Sequence, residues 1–125
     1  MIPLASAAAA VFNLVCTGTT FIGVGLDAIK KQNQTPYSET FRVDLNAERW
    51  CYGKCETTAH IYRVSPTMIM LKLEQDEKIG SESFISLNRE DGSIIDRTRG
   101  IGTFIVMNTG KCQPAPFTGF PARKF

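Results

Sequence analysis

Four cysteines and one histidine are the residues of this 125-residue chain whose types could do chemistry. Cys51 and Cys55 bracket the stretch RWCYGKC, which also carries the only tryptophan, Trp50. Three chemistries use cysteines so placed. A structural zinc site takes ligands roughly two to four residues apart and repeats the pair later in the chain. Here Cys16 and Cys112 stand alone and far away, and His60 sits in the strand-like run AHIYRV. A redox pair prefers Cys-x-x-Cys at the start of a helix, which lowers the thiolate pKa. This pair is one residue wider, lies in β-type sequence and has Gly53 between. A disulfide framework demands least, because the count is even and the chain reads as exported.

No other catalytic constellation stands out. A Ser-His-Asp arrangement would have to use His60, and no GxSxG elbow exists. Carboxylates stand singly or in turn-like stretches, and GIGT lacks the helix a phosphate loop needs. The sequence therefore predicts a non-enzyme with no cofactor and no metal. Two cationic residues at strand spacing, Arg97 and Arg99, share a face and are kept as partner-binding candidates. With 14 basic against 12 acidic residues the net charge is only +2, so no nucleic-acid footprint is expected.

The elements that must position these residues are strands. ETFRVDL alternates Phe41, Val43 and Leu45 against Arg42 and Asp44, the period of a half-buried strand. AHIYRV, SFISLN, IIDRTR and TFIVMNTGKC read likewise, and MIMLKLE places Ile69, Leu71 and Leu73 on one face. Pro66 sets a tight turn and Gly92 a hairpin turn in REDGS. Gly110 is expected to kink the last strand, KKQNQTPYS to be a loop and GLDAIKKQ to be the one helical stretch. VFNLVCTG supplies a first strand. The expected fold is all-β, an antiparallel meander of six or seven strands forming a small barrel or strongly curved sheet.

No charged side chain occurs from Met1 to Leu26. The length would suit a membrane helix, but Asn13, Thr17, Gly18, Thr19, Thr20, Gly23 and Gly25 dilute the second half. The small residues of ASAAAA fit the end of an export signal instead. Residues 1–10 are thus expected to be a signal remnant or Ala-rich segment and 11–125 a single β domain, periplasmic or secreted, that does not span a membrane. In a closed meander the first and last strands are neighbours. The expected bridges are then Cys16–Cys112, tying the seam, and Cys51–Cys55, fixing a turn beneath Trp50.

The segments FNLVCTGT, FRVDLNAERWCYGKC, SLNREDG and GKCQPAPFTGFPARKF together resemble a loose group of small exported bacterial proteins of uncharacterised role. A DL….WC…C segment and a Cys-x3-PF tail recur there in that order. The resemblance covers nearly the whole chain from residue 11; it implies an envelope location and all-β architecture, and no activity. A weaker analogy is with periplasmic inhibitors of C-type lysozyme, β-barrels whose terminal strands are also joined by a disulfide. Their SGxxY-type loop is not seen here.

Two-faced apolarity in MIMLKL and GTFIVM marks Met68, Met70, Phe104 and Val106 as a candidate patch for a protein partner, a small apolar ligand or a second copy of the chain. The sequence thus predicts a disulfide-stapled binding or structural domain of the bacterial envelope. The rival readings are an enzyme inhibitor presenting Asn88–Gly92 and a small hydrolase or isomerase using carboxylates such as Asp44 or Asp96.

Overall fold

The register of each strand is set by the alternation just described. The computed structural model describes residues 10–24, 34–100 and 104–121. Over these the chain forms β1 (Val11–Val24), β2 (Gln34–Asp44), β3 (Arg49–Tyr52), β4 (Ala59–His60), β5 (Arg63–Val64), β6 (Met68–Asp76), β7 (Ser81–Asn88), β8 (Ser93–Arg99) and β9 (Phe104–Ala115). They make one antiparallel sheet in the order β4-β3-β2-β1-β9-β8-β7-β6-β5. Neighbours in sequence are neighbours in space, and β9 returns to β1, so the meander curls into a half-barrel. Among the described residues no helix is long and apolar enough to cross a membrane.

Nine strands stand where the sequence predicts six or seven, because RWCY pairs on its own and AHIYRV is split. Ala59 and His60 pair with Trp50 and Arg49 of β3, and Ile61 N–H still donates to Glu48 O. Tyr62 N–H then donates to Leu71 O, and Arg63 and Val64 pair with β6. One segment thus changes partner between Ile61 and Tyr62, and both edges of the sheet belong to it.

The inward faces build the core. Phe41, Val43, Trp50, Ile61, Ile69, Leu71, Ile85, Leu87 and Ile94 are buried around Cys16 and Cys112, with Phe12, Leu14, Tyr37 and Leu45 packed against them. Leu73 departs from its expected face. A register shift between Met70 and Lys72 places an extra residue in β6, so Leu73 pairs with the outward Phe84.

Gly110 also differs from expectation. The β1–β9 register runs through it unbroken, with Gly18 directly opposite. A Cβ on either glycine would collide with backbone of the other strand, Thr109 O or Thr17 O. Close approach, not a kink, is what glycine permits here. KKQNQTPYS is likewise no loop from Gln34 onward, since Gln34–Ser38 pairs with β1. Pro36 is tolerated because β3 covers only Phe41–Asp44, leaving that stretch of β2 partnered on one side among the described residues. GLDAIKKQ, nearly all of the 1–10 segment and the IG of GIG lie outside the described residues.

Beyond Ala115 the tail folds over the outer face of β1 and β2. Asn13 Nδ2 donates to Thr118 Oγ1 at 3.0 Å, Thr118 N–H donates to Asn13 Oδ1 at 3.2 Å, and Arg42 Nη1 donates to Gly119 O at 2.9 Å. These bonds satisfy Asn13, a buried polar side chain, which would otherwise cost about 1–3 kcal/mol.

Candidate functional site

The four cysteines pair as Cys16–Cys112 and Cys51–Cys55, with Cα separations of 3.9 and 5.1 Å and no free thiol left. Cys16 and Cys112 are register partners, so the long bridge spans the β1–β9 seam directly. The short bridge closes a tight turn in which Cys55 N–H donates to Tyr52 O and Gly53 takes φ 61°. Gly53 occupies the first central position, where a turn of this hand favours glycine. Trp50 and Tyr52, flanking Cys51, stack at 5.8 Å and 22°.

That stack lies beside a groove of about 440 Å³, lined by Trp50, Tyr52, Ala59, His60, Tyr62 and Leu71–Glu74. Its origin is the partner change at Ile61–Tyr62. Where the segment turns to follow β3, it leaves β6. From Lys72 to Asp76 the described pairing of β6 is with β7 alone. A wedge therefore opens between β4 and the upper half of β6. Trp50 is buried, yet Tyr52 is 56% and Tyr62 47% exposed. Around the groove Lys72 Nζ lies 3.8 Å from Glu74 Oε1, and His60 Nε2 lies 3.4 Å from Glu48 Oε1. Trp50 Nε1 is buried with no acceptor among the described residues.

A second polar cluster lies inside the curl. Thr20, Asn108 and Asp96 form one row across β1, β9 and β8, on the face of the buried Cys16, Cys112 and Ile94. Thr20 Oγ1 donates to Asn108 Oδ1, and Asn108 Nδ2 donates to Asp96 Oδ2 at 3.4 Å. Tyr37 and Glu39 share the face of Phe41 on β2. Burial pushes the Asp96 carboxyl above the ordinary carboxylate range, against the Asn108 bond and the Lys72 charge, and Glu39 adds to the rise. Burial, with Asp96 and Glu39 nearby, also raises the Tyr37 phenol.

A folded-state pKa above the unfolded one gives stability that is complete below the unfolded value, about pH 4, and is lost as pH rises through the folded value. Asp96→Asn removes this dependence. The Tm of the natural chain should therefore fall relative to Asp96→Asn as pH rises above about 4. Parallel Tm–pH profiles would show that the ionised carboxylate is not disfavoured.

The other sequence candidates are dispersed. Met68 and Met70 flank the buried Ile69 and point outward from β6, whereas Phe104 and Val106 share the inward parity of Cys112. The structure does not bring these four together. The outward apolar row is instead Phe21, Met107, Phe84 and Leu73, with Arg97 among them. Arg97 and Arg99 are engaged: Arg97 lies 4.8 Å over the Phe84 ring, and Glu82 Oε1 is 2.7 Å from Arg97 Nη2 and 3.8 Å from Arg99 Nη2. Hydrogen bonds from Gln75 and Arg97 hold the Glu82 carboxyl below its usual range.

Asp44 accepts from Ala47 N–H at 2.9 Å in the β2–β3 turn, far along the sheet from Asp96, so the two carboxylates do not converge. In Asn88–Gly92, Asn88 Oδ1 accepts from Glu90 N–H and Asp91 N–H, and Gly92 O accepts from Cys112 N–H at 2.7 Å. That loop is an ordered turn tied to the long bridge. Sequence reasoning missed the groove, since it arises from a change of strand partner, which leaves no local signature. Two tyrosines, one on each side of AHI, were the available hint. No family model, no curated protein and no solved structure matches the chain.

Proposed function

We propose that the protein is a small domain exported to the bacterial envelope, periplasmic or secreted, that acts by binding a partner and not by catalysis. The observation that carries the reading is the groove, a ready-made concave site with exposed aromatics on a sheet held by two disulfides. Export is supported by the pairing of all four cysteines, since such bridges persist in oxidising compartments. The binding role is favoured over the carboxylate-enzyme reading because Asp44 holds a turn while Asp96 lies inside the curl.

Cell fractionation followed by non-reducing peptide mapping tests the reading. The expected result is the chain in the periplasmic or extracellular fraction with Cys16–Cys112 and Cys51–Cys55 both formed. A chain found in the cytosolic fraction with four reduced thiols would overturn it.

A further inference from the structure

The groove is a strand-shaped vacancy before it is an aromatic pocket. In a curled sheet each strand answers the backbone N–H and C=O groups of two neighbours. Residues 59–64 fill the place between β3 and β6, but they pair with β6 only at Arg63 and Val64, plus the Tyr62–Leu71 bond. Above that point β6 runs on for five residues, Lys72 to Asp76, whose side away from β7 has no partner among the described residues. Five residues of strand span roughly 17 Å. The wedge between this edge and β4 is the groove itself.

We propose that the groove takes an extended, largely uncharged segment of another polypeptide, added as a strand along Lys72–Asp76. This rests on the binding role proposed above and names its ligand class. Three features select this occupant. An open strand edge repeats donors and acceptors at the spacing of a polypeptide backbone, the basis of recognition by strand addition. Alternate side chains of an added strand would face two apolar surfaces, the Trp50–Tyr52 stack inside and Leu73 outside, and Tyr62 also lines the groove. Lys72 and Glu74 neutralise each other at 3.8 Å, so the walls offer no net sign to a charged ligand.

The described part of the tail, as far as residue 121, is not this ligand, because Thr118 and Gly119 are already bonded to Asn13 and Arg42 on the outer face of β1 and β2. The inner cluster around Asp96 is a separate feature: none of Tyr37, Glu39, Asp96 or Asn108 lines the groove.

The test uses the full, disulfide-intact chain and linear random peptides of about ten residues displayed on phage, with the best binder resynthesised. Fluorescence of Trp50, the only tryptophan, follows the titration. N-methylation of alternate peptide amides should weaken binding at least about tenfold, as the loss of two or more backbone hydrogen bonds requires. Tyr52→Ser and Tyr62→Ser should each weaken it several-fold, while Ile95→Ser, an exposed outer-face change, should leave it unaltered. Hydrogen exchange should slow at amides between Lys72 and Asp76 when the peptide is bound.

A binder indifferent to N-methylation, or one that protects other strands, would overturn strand addition. N-acetylglucosamine oligomers that shift Trp50 fluorescence where peptides do not would make the groove a glycan site; the binding role would stand and the strand proposal would fall. Failure of both probes would overturn the proposal, with compartment and bridges still judged by fractionation.

Discussion

Replacing Cys16 and Cys112 together by valine should lower the unfolding free energy by about 4.7 kcal/mol, the chain-entropy value for a bridge between residues 96 apart. The same treatment of Cys51 and Cys55, only four apart, should cost about 2 kcal/mol. A small domain has about 5–15 kcal/mol in all, so the first change removes roughly 30% of the stability or more. The long bridge also stands where β9 returns to β1, and without it the two strands keep their ladder and the Thr20–Asn108 side-chain bond. Urea unfolding of the two double variants decides the matter. If the Cys16/Cys112 variant loses no more than the Cys51/Cys55 variant, the seam does not depend on its covalent tie.

That seam was legible in the sequence, because Cys16 and Cys112 sit in the first and last runs of strand period and a meander must bring those runs together. The inward faces were legible for the same reason: Phe41 and Val43 alternate with polar neighbours, and both are buried. What was hidden depended on breaks in the alternation. The bulge in β6 leaves Leu71 buried but turns Leu73 outward and sends Lys72 and Glu74 to the inward face, where simple alternation from Ile69 puts Leu73. The apolar patch assigned to Met68, Met70, Phe104 and Val106 dissolves because parity alone cannot say which of two apolar faces is inside.

The groove was hidden for another reason. AHIYRV has the composition of one continuous strand, and nothing in its residue types shows that it serves β3 with one half and β6 with the other. Partner exchange of that sort is a property of the curled sheet as a whole. Its register must stagger as the strands tilt around the curl, and the last segment to fit absorbs the mismatch. The binding reading and the strand-addition proposal both follow from that geometric remainder.

A bulkier side chain at the glycine pair should be nearly as damaging as loss of the long bridge. Gly18→Val or Gly110→Val is expected to cost about 3 kcal/mol, the upper range for overpacking. A Cβ built on Gly18 lies 2.5 Å from the Gly110 Cα and 2.8 Å from the Thr109 carbonyl carbon, and one on Gly110 lies 2.9 Å from the Gly18 Cα. All these neighbours are backbone, so no flexible side chain can swing aside. The strands cannot simply part either, because the Cys16–Cys112 bridge fixes them two residues away. The two effects must therefore couple. In a chain already lacking the long bridge, β1 and β9 are freer to separate, and Gly18→Val should cost measurably less there than in the bridged protein. A double-mutant cycle in urea reads this coupling, expected at about 1 kcal/mol or more for groups so close. Strict additivity, or a bridged Gly18→Val protein within about 0.5 kcal/mol of the natural chain, would mean that the strands are not held at this spacing.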